Sequence, residues 1–298
     1  MILPWLDGPL AMSDAALRRL LLDVHTAERR AADAREVTAG PRQRASKASA
    51  VAVISVTGII APRATPWGWL FGEIGLDAVV AELRALVADA GVQAVVLDID
   101  SPGGSVYGVD EAATAIRDLR AQKPIVAVAN PLAASAAYYL LSAATEAYVT
   151  PSGEVGSVGV YSLHLDWSRN LDEAGITPTL IAAGPHKVEG NPYQPLDDEA
   201  RATLQATVDR YYGMFVAAVA KGRGVSVEDV RGTFGGGRLL GAKAALAARM
   251  VDAVGTVEDG IARAGALARG RAQDAARAAA DVAWLETARL RLDAEGLR

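Results

Sequence analysis

Two short segments carry the residue types that could do chemistry in this chain. In DIDSPGGSV, residues 98–106, an apolar run ends in a serine, a proline and two glycines. In PLAASAAYYL, residues 131–140, Ser135 stands among alanines. Glycine amides at a turn can hold an oxyanion, and a serine at a helix start can act as a nucleophile. Each segment also has a purely structural interpretation, as a tight turn and as a helix N-cap.

A serine nucleophile needs a base to remove its proton, and three downstream residues are candidates: His164, His186 and Lys187. The last two lie in AAGPHKVEGNPYQPLDDEA, residues 182–200, which is dense in glycine and proline and predicts a long loop. Loops of this length in compact domains are usually functional. A lysine is a base only when neutral, so this role requires burial away from water.

The surrounding pattern predicts an α/β domain that positions these segments. Apolar, β-branched runs are typical of strands covered on both faces, and they occur at residues 51–58, 94–100, 125–130 and 147–150. Amphipathic stretches predict helices at residues 76–90, 108–121, 134–145, 197–221, 241–250 and 255–267. Strands that alternate with helices predict a largely parallel sheet. Both serine-bearing segments follow a strand, where such folds place their ligands.

The two ends of the chain predict further helices, at residues 13–36 and in the tail from residue 270, whose apolar stripe is thin. We therefore divide the chain into an N-terminal helical extension (1–36), a linker (37–49), a main domain (50–267) and a C-terminal helical tail (268–298). Trp67 and Trp69 belong to an apolar loop that we expect at a subunit contact, over the substrate groove or against the core.

Composition narrows the function classes. The chain has 298 residues, 51% hydrophobic and 22% charged, which describes a globular protein. It has no cysteine, and its three histidines have no ligand spacing, so we expect neither a thiolate nucleophile nor a metal site. The net charge of −5 gives no reason to expect nucleic acid as a partner. Without a signal peptide pattern, a membrane span or a Walker loop, we expect an intracellular protein that needs no cofactor.

Four motifs together resemble the signal peptide peptidase A family of serine peptidases, and within it the phage-lambda-type capsid assembly proteases. The motifs are DIDSPGG (98–104), ANPLAASAAYYLLSAA (129–144), GEVGSVGV (153–160) and GPHKVEGNPY (184–193), within a resemblance over residues 50–267. The resemblance implies that Ser135 is the nucleophile and Lys187 the general base, with Ser157 orienting the lysine amine. It also implies that the oxyanion is held by the amides of Gly103, Gly104 and Ala136.

The same resemblance implies the fold and the partners. The fold would be the spiral α/β sheet of Clp protease and the crotonases, in a homo-oligomer without a cofactor. Phage members cleave scaffold and major capsid proteins inside the procapsid, in the cytoplasm of the bacterial host. The chain departs from the family in having alanine, not glycine, directly after Ser135. Because alanine restricts the backbone more than glycine, this departure argues against a strained turn there.

Three alternatives remain open from the sequence. A Ser-His-Asp peptidase on the same fold would use His164 with Asp166 or Asp172. An acyl-CoA enzyme of the enoyl-CoA hydratase type would use Asp110 or Glu111 as its acidic base. An assembly protein without catalysis would use the helical ends of the chain as contacts.

Overall fold

The computed structural model describes residues 9–12, 50–65, 68 and 72–295. The predicted helix at 13–36, the linker at 37–49 and the tryptophan loop around Trp67 and Trp69 lie outside the described residues. The strands are β1 (Leu10–Met12), β2 (Val51–Thr57), β3 (Ile59–Ala61), β4 (Glu73–Gly75), β5 (Ala94–Ser101), β6 (Gly103–Ser105), β7 (Ile125–Ala134), β8 (Glu146–Val149), β9 (Glu154–Gly156), β10 (Leu239–Gly241) and β11 (Ala253–Val254). The helices are α1 (Leu76–Ala88), α2 (Val109–Gln122), α3 (Ala136–Ser142), α4 (Ser168–Glu173), α5 (Asp198–Arg223), α6 (Val227–Thr233), α7 (Ala242–Ala247) and α8 (Val257–Glu295).

The larger sheet is parallel at its centre, as the alternating pattern predicts. Strand β5 pairs with β2 on one side and β7 on the other, and β8 and β11 extend the parallel pairing beyond β7. Strand β7 changes partner along its length: residues 126–129 pair with β8, whereas residues 132–134 pair with β9. The partner on this side of β7 therefore changes between residues 129 and 132, and changes of strand order of this kind are where α/β proteins bind ligands.

Strand β7 is longer than the sequence predicts. The apolar pattern ended the strand at residue 130 and began a helix at residue 134, whereas the strand continues to Ala134 and α3 begins at Ala136. Pairing of Ala133 and Ala134 with β9 explains the difference, because tertiary pairing overrides the helix propensity of alanine. Residues 10–12, which we assigned to a helical extension, also form a strand, paired with β6.

Alternate residues of the central strands are buried on opposite faces of the sheet. One face packs under α1, α2, α3 and α5 and includes Ile54 and Val56. The other face, which includes Val51 and Val53, packs against Ala264 of α8. Burial on both faces accounts for the unbroken apolar runs that predicted these strands.

The last helix is continuous from Val257 to Glu295, where the sequence predicted a helix to 267 and a separate tail. Its first part packs on the sheet as far as Ala268, so the predicted boundary at 267/268 lies near the end of this packing but not at a break in the helix. The predicted thin apolar stripe lies in the second part, where Val282, Leu285 and Leu290 are exposed. No helix in the described ranges is long and apolar enough to cross a bilayer.

A partly buried ion pair ties the end of α5 to the edge of the sheet. Arg223 donates to the two carboxylate oxygens of Asp252 at 2.9 and 2.8 Å, and the Ala147 N–H donates to the same carboxylate at 2.7 Å. Burial alone would raise the pKa of Asp252, but the hydrogen bonds from Arg223 and Ala147 hold this pKa below its ordinary value. Asp252 therefore stays ionised and keeps the buried guanidinium paired.

Helix α5 also approaches α3 closely enough to require glycine at residue 222. A Cβ atom at Gly222 would lie 2.2 Å from the Ser142 carbonyl oxygen, a backbone atom that cannot rotate away. We expect Gly222→Ala to lower the free energy of unfolding by about 2 kcal/mol, and the melting temperature by about 4 °C, because the helices must separate.

The matched control is Gly213→Ala in the same helix, where a Cβ atom would meet nothing within 4 Å. This variant should be unchanged or up to about 1 kcal/mol more stable, because alanine favours helix. Thermal unfolding followed by circular dichroism measures both. Equal melting temperatures for the two variants would contradict the close packing of α5 on α3.

Candidate active site

Ser135 lies at the turn between β7 and α3 with an unusual backbone conformation. Its φ is 55° and its ψ is −118°, a combination that L-residues rarely adopt. Its N–H donates to the Gly156 carbonyl at 2.7 Å, and its Oγ lies 3.5 Å from the Gly159 carbonyl oxygen. The side chain is almost fully buried in the isolated chain. The expectation that an alanine after the serine argues against a strained turn is therefore wrong: the strain falls on Ser135 itself.

The helix that follows Ser135 is anchored by side-chain hydrogen bonds along its length. Tyr138 donates from its hydroxyl to the Met250 carbonyl at 3.0 Å, inside the core. Tyr139 donates to the Asp110 carboxylate at 2.7 Å. At the far end of α3, the Arg120 guanidinium donates to the carbonyls of Ala143 and Ala144, the two residues that follow the helix. The apolar run that follows Ser135 in sequence therefore fixes the helix whose start presents the serine.

Sheet register brings Ser157 next to Ser135. Ala134 pairs with Gly156 in the β7–β9 ladder, and the two serines are the residues that directly follow this pair. Ser157 also has a positive φ, 54°, and its N–H donates to the Arg238 carbonyl at 2.8 Å. Two strained serines thus leave neighbouring parallel strands at the same point.

The glycines of β6 reach the same edge through the pairing of β5 with β7. Ser101 pairs with Ala133, so Gly103 and Ser135 each follow this pair by two residues. Gly103 has a φ of 94°, and its N–H donates to the Ser101 Oγ at 3.2 Å. Gly104 is required by a close approach, since a Cβ atom there would lie 1.9 Å from the Ile60 carbonyl oxygen of β3.

A backbone N–H group without a partner inside the helix is also present at the start of α3. The Ala136 N–H belongs to the first residue of the helix, where backbone N–H groups have no partner within the helix. Ala136 itself is fully buried, directly after Ser135. The structure thus brings together five of the six predicted site residues: Ser135, Ser157, Gly103, Gly104 and Ala136.

A small apolar pocket lies beside these residues. Its walls come from the segments that follow β6 and Gly159 and from α2, α3 and α5, and they consist of Val106, Val109, Asp110, Tyr139, Val160, Tyr211, Met214 and Phe215. Burial, together with the hydrogen bond to Asp110, raises the pKa of the Tyr139 phenol, so this group stays protonated and donates. Asp110, a candidate base of the acyl-CoA alternative, is therefore engaged by Tyr139 in this wall. This pocket could not be predicted from the sequence, because its lining residues come from five separate segments.

Lys187 is exposed, whereas Ser135 is buried with its hydroxyl facing the Gly159 carbonyl. It lies in a turn of the segment 174–197, which contains neither helix nor strand, and its side chain is exposed. Its main-chain N–H donates to the Gly184 carbonyl at 3.2 Å. The long loop predicted here is confirmed. The predicted burial of Lys187 is not observed in the single chain, where the residue is exposed.

The candidate histidines have other partners. His164 Nε2 lies 3.1 Å from the Asn191 carbonyl oxygen. The Asp166 carboxylate accepts from the N–H of Ser168, the first residue of α4, at 2.9 Å. His186 Nδ1 lies 3.8 Å from carboxylate oxygens of Glu189 and Glu199. Neither histidine forms a hydrogen bond with the Ser135 hydroxyl, and no Ser-His-Asp triad is formed among the described residues.

Comparison with known proteins identifies the family to which this arrangement belongs. The family model for peptidase family S49 matches residues 117–270, which is just over half of the chain and includes both serines and Lys187. The chain belongs to peptidase family S49. A second family model, for Clp protease, matches residues 74–155, in agreement with the predicted Clp-like α/β fold.

Individual relatives of this S49 chain agree with the predicted resemblance. The head-tail preconnector protein GP5 of Enterobacteria phage P21 is 41% identical over 183 residues, which are 61% of this chain and 36% of that protein. The capsid assembly protease C of Escherichia phage lambda is 37% identical over 196 residues, 65% of this chain and 45% of that protein. The putative signal peptide peptidase SppA of Enterococcus faecium is 26% identical over 227 residues, 76% of this chain and 66% of that protein. The chain thus matches less than half the length of each phage relative.

The strain at Ser135 predicts a stability difference between two substitutions that both remove the hydroxyl. Glycine at residue 135 adopts the positive φ without steric strain, whereas alanine keeps a Cβ atom in the disfavoured conformation. After allowance for the greater freedom of glycine in the unfolded chain, we expect Ser135→Gly to be about 1 kcal/mol more stable than Ser135→Ala. Denaturant unfolding of the two variants measures this difference, and a less stable glycine variant would contradict strain at this position.

Proposed function

We propose that this S49 member is a serine endopeptidase in which Ser135 attacks the substrate carbonyl and Lys187 is the general base. The observation that carries the proposal is the convergence of the strained Ser135 with Ser157 and the glycines of β6 at one edge of the sheet. Strain at a strand-to-helix turn is a common way to present a nucleophile, and it persists only where the surroundings enforce it.

The proposed chemistry follows from these groups. The neutral Lys187 amine accepts the Ser135 proton as Oγ attacks the peptide carbonyl, and the resulting oxyanion is held by amides of β6 and the Ala136 N–H. The intermediate collapses as the lysine ammonium returns the proton to the departing amine, which leaves an acyl-enzyme. Water, activated by the same lysine, then releases the acyl group as a carboxylic acid. Ser157, adjacent to Ser135, orients the lysine amine.

Lys187 reaches this position, we propose, when the chain assembles as a homo-oligomer. A lysine base must be buried to be neutral, and the segment that carries Lys187 is exposed. Large apolar side chains in and around this segment are exposed too, including Ile181 at 96%, Ile176 at 53% and Trp167 at 49%. Exposed apolar clusters of this kind favour contact with another protein surface, and a second copy would cover them while excluding water from the lysine.

The proposed pairing of Ser135 as nucleophile with Lys187 as base predicts how single substitutions change the activity. Lys187→Ala should lower kcat for a peptide substrate by about a thousandfold or more, because it removes the base, while His164→Gln should keep activity within a few-fold of the wild type.

Steady-state hydrolysis of a quenched fluorescent peptide measures these effects, with circular dichroism as the check on folding. If the Lys187→Ala variant is active, or if the His164→Gln variant is folded but inactive, the general base is His164 and not Lys187.

We further propose that the substrates are the scaffold and major capsid proteins of a phage, cleaved within the procapsid in the host cytoplasm. The support is the similarity to the lambda capsid assembly protease and to the P21 preconnector protein. In this proposal residues 50–267 form the peptidase domain, while the predicted helical ends at residues 13–36 and 270–298 serve in assembly.

Co-expression with the scaffold and major capsid proteins encoded beside this chain tests the proposed substrate assignment. Intact-mass spectrometry should show both partners shortened by the wild type and left whole by Ser135→Ala and Lys187→Ala. If the wild type cuts a model peptide but neither partner, the substrate assignment is wrong and the peptidase assignment remains.

A further inference from the structure

The N-terminal strand β1 lies along the glycines of the candidate site. It pairs antiparallel with β6, with Leu10 opposite Ser105, Ala11 opposite Gly104 and Met12 opposite Gly103. The two strands run for only three residues, and β6 pairs with β3 on its other side. Strand β1 therefore occupies the edge of β6 that β3 leaves open.

A second segment holds β1 from its opposite side. The Leu10 N–H donates to the Tyr161 carbonyl at 2.8 Å, and the Tyr161 N–H donates to the Leu10 carbonyl at 3.1 Å. Tyr161 is two residues beyond Gly159, whose carbonyl oxygen is the partner of the Ser135 hydroxyl. Strand β1 thus fills a slot between β6 and the segment that follows Gly159, and Met12 lies opposite Gly103 of β6.

The side chains of β1 are those of a well-bound extended peptide. Leu10 and Met12 are alternate residues, which share one face of a strand, and they are 1% and 2% exposed. Val106, which lines the small apolar pocket, donates its N–H to the Pro9 carbonyl at 3.4 Å. Addition of a strand to an open sheet edge, with alternate side chains in pockets, is a general mode of peptide recognition.

We infer that residues 9–12 occupy the peptide-binding slot as an internal pseudo-substrate, an inference that rests on the proposed peptidase function. A polypeptide substrate enters as an antiparallel strand on Gly103–Ser105 and must first displace β1. The slot selects extended segments with apolar side chains two residues apart, as in Leu10 and Met12. Because β1 is tethered, its effective concentration is high and it weakens the apparent affinity of every competing peptide.

A reversible cross-link tests this inference within one molecule. The chain has no cysteine, so Leu10→Cys with Tyr161→Cys introduces a single possible disulfide. Residues that exchange both hydrogen bonds in an antiparallel pair have Cα atoms about 5.5 Å apart, which suits a disulfide. Oxidation locks β1 in the slot, and dithiothreitol releases it. The matched controls are the two single-cysteine variants, in which the reductant should change nothing.

We measure the binding of a fluorescein-labelled peptide that copies residues 7–14. The protein also carries Ser135→Ala, so the measurement does not depend on hydrolysis. We expect the reduced double-cysteine protein to bind the peptide at least tenfold more tightly than the oxidised protein. Equal affinity in the two states, or binding to neither, would overturn the inference. Failure of the cysteines to oxidise would contradict the pairing of Leu10 with Tyr161.

Failure of the pseudo-substrate inference is distinguishable from failure of the proposed peptidase function. If the otherwise wild-type chain hydrolyses no peptide but reduction still opens the slot, the peptidase proposal fails and the slot assignment stands. If the chain hydrolyses peptides and the redox state has no effect on peptide binding, the peptidase proposal stands and the pseudo-substrate is wrong.

Discussion

The exchange of partners along β7 is the constraint on which the candidate site depends. Because its first half pairs with β8 and its second half with β9, the strand delivers Ser135 to a position beside Ser157, away from the closed part of the sheet. The pairing of Ser101 with Ala133 brings the glycines of β6 to the same place. The site is thus built from three strand ends, and its geometry follows from backbone pairing more than from contacts between its side chains.

This construction explains why a disfavoured conformation can persist at Ser135. A residue in such a region costs about 1–3 kcal/mol, which the surroundings must offset. In the preceding strand Ala133 is buried and paired on both sides, and the following helix is held by the hydroxyls of Tyr138 and Tyr139 and by Arg120 at its end. Relaxation of the turn would break these contacts together. The run of small and aromatic residues around Ser135 is therefore a packing solution as well as a motif.

Much of the fold could be predicted from the sequence, because strands buried on both faces leave continuous apolar runs and the helices between them are amphipathic. The motifs also located five residues that the structure brings together. The extension of β7 through Ala134, the strand at residues 10–12 and the strain at Ser135 could not be predicted, since each depends on pairing between distant segments. The predicted position of Lys187 depends on burial that a single chain does not provide, and local sequence carries no information about the surface that would bury it.

Reaction of the native protein with a fluorophosphonate probe, followed by peptide mapping with mass spectrometry, shows whether Ser135 is an activated nucleophile. We expect a single adduct on Ser135, absent after denaturation and absent in Ser135→Ala, with Ser157 unmodified. Modification of a different serine, or an unmodified Ser135 in protein that is assembled and hydrolysing peptide, would contradict this role of Ser135.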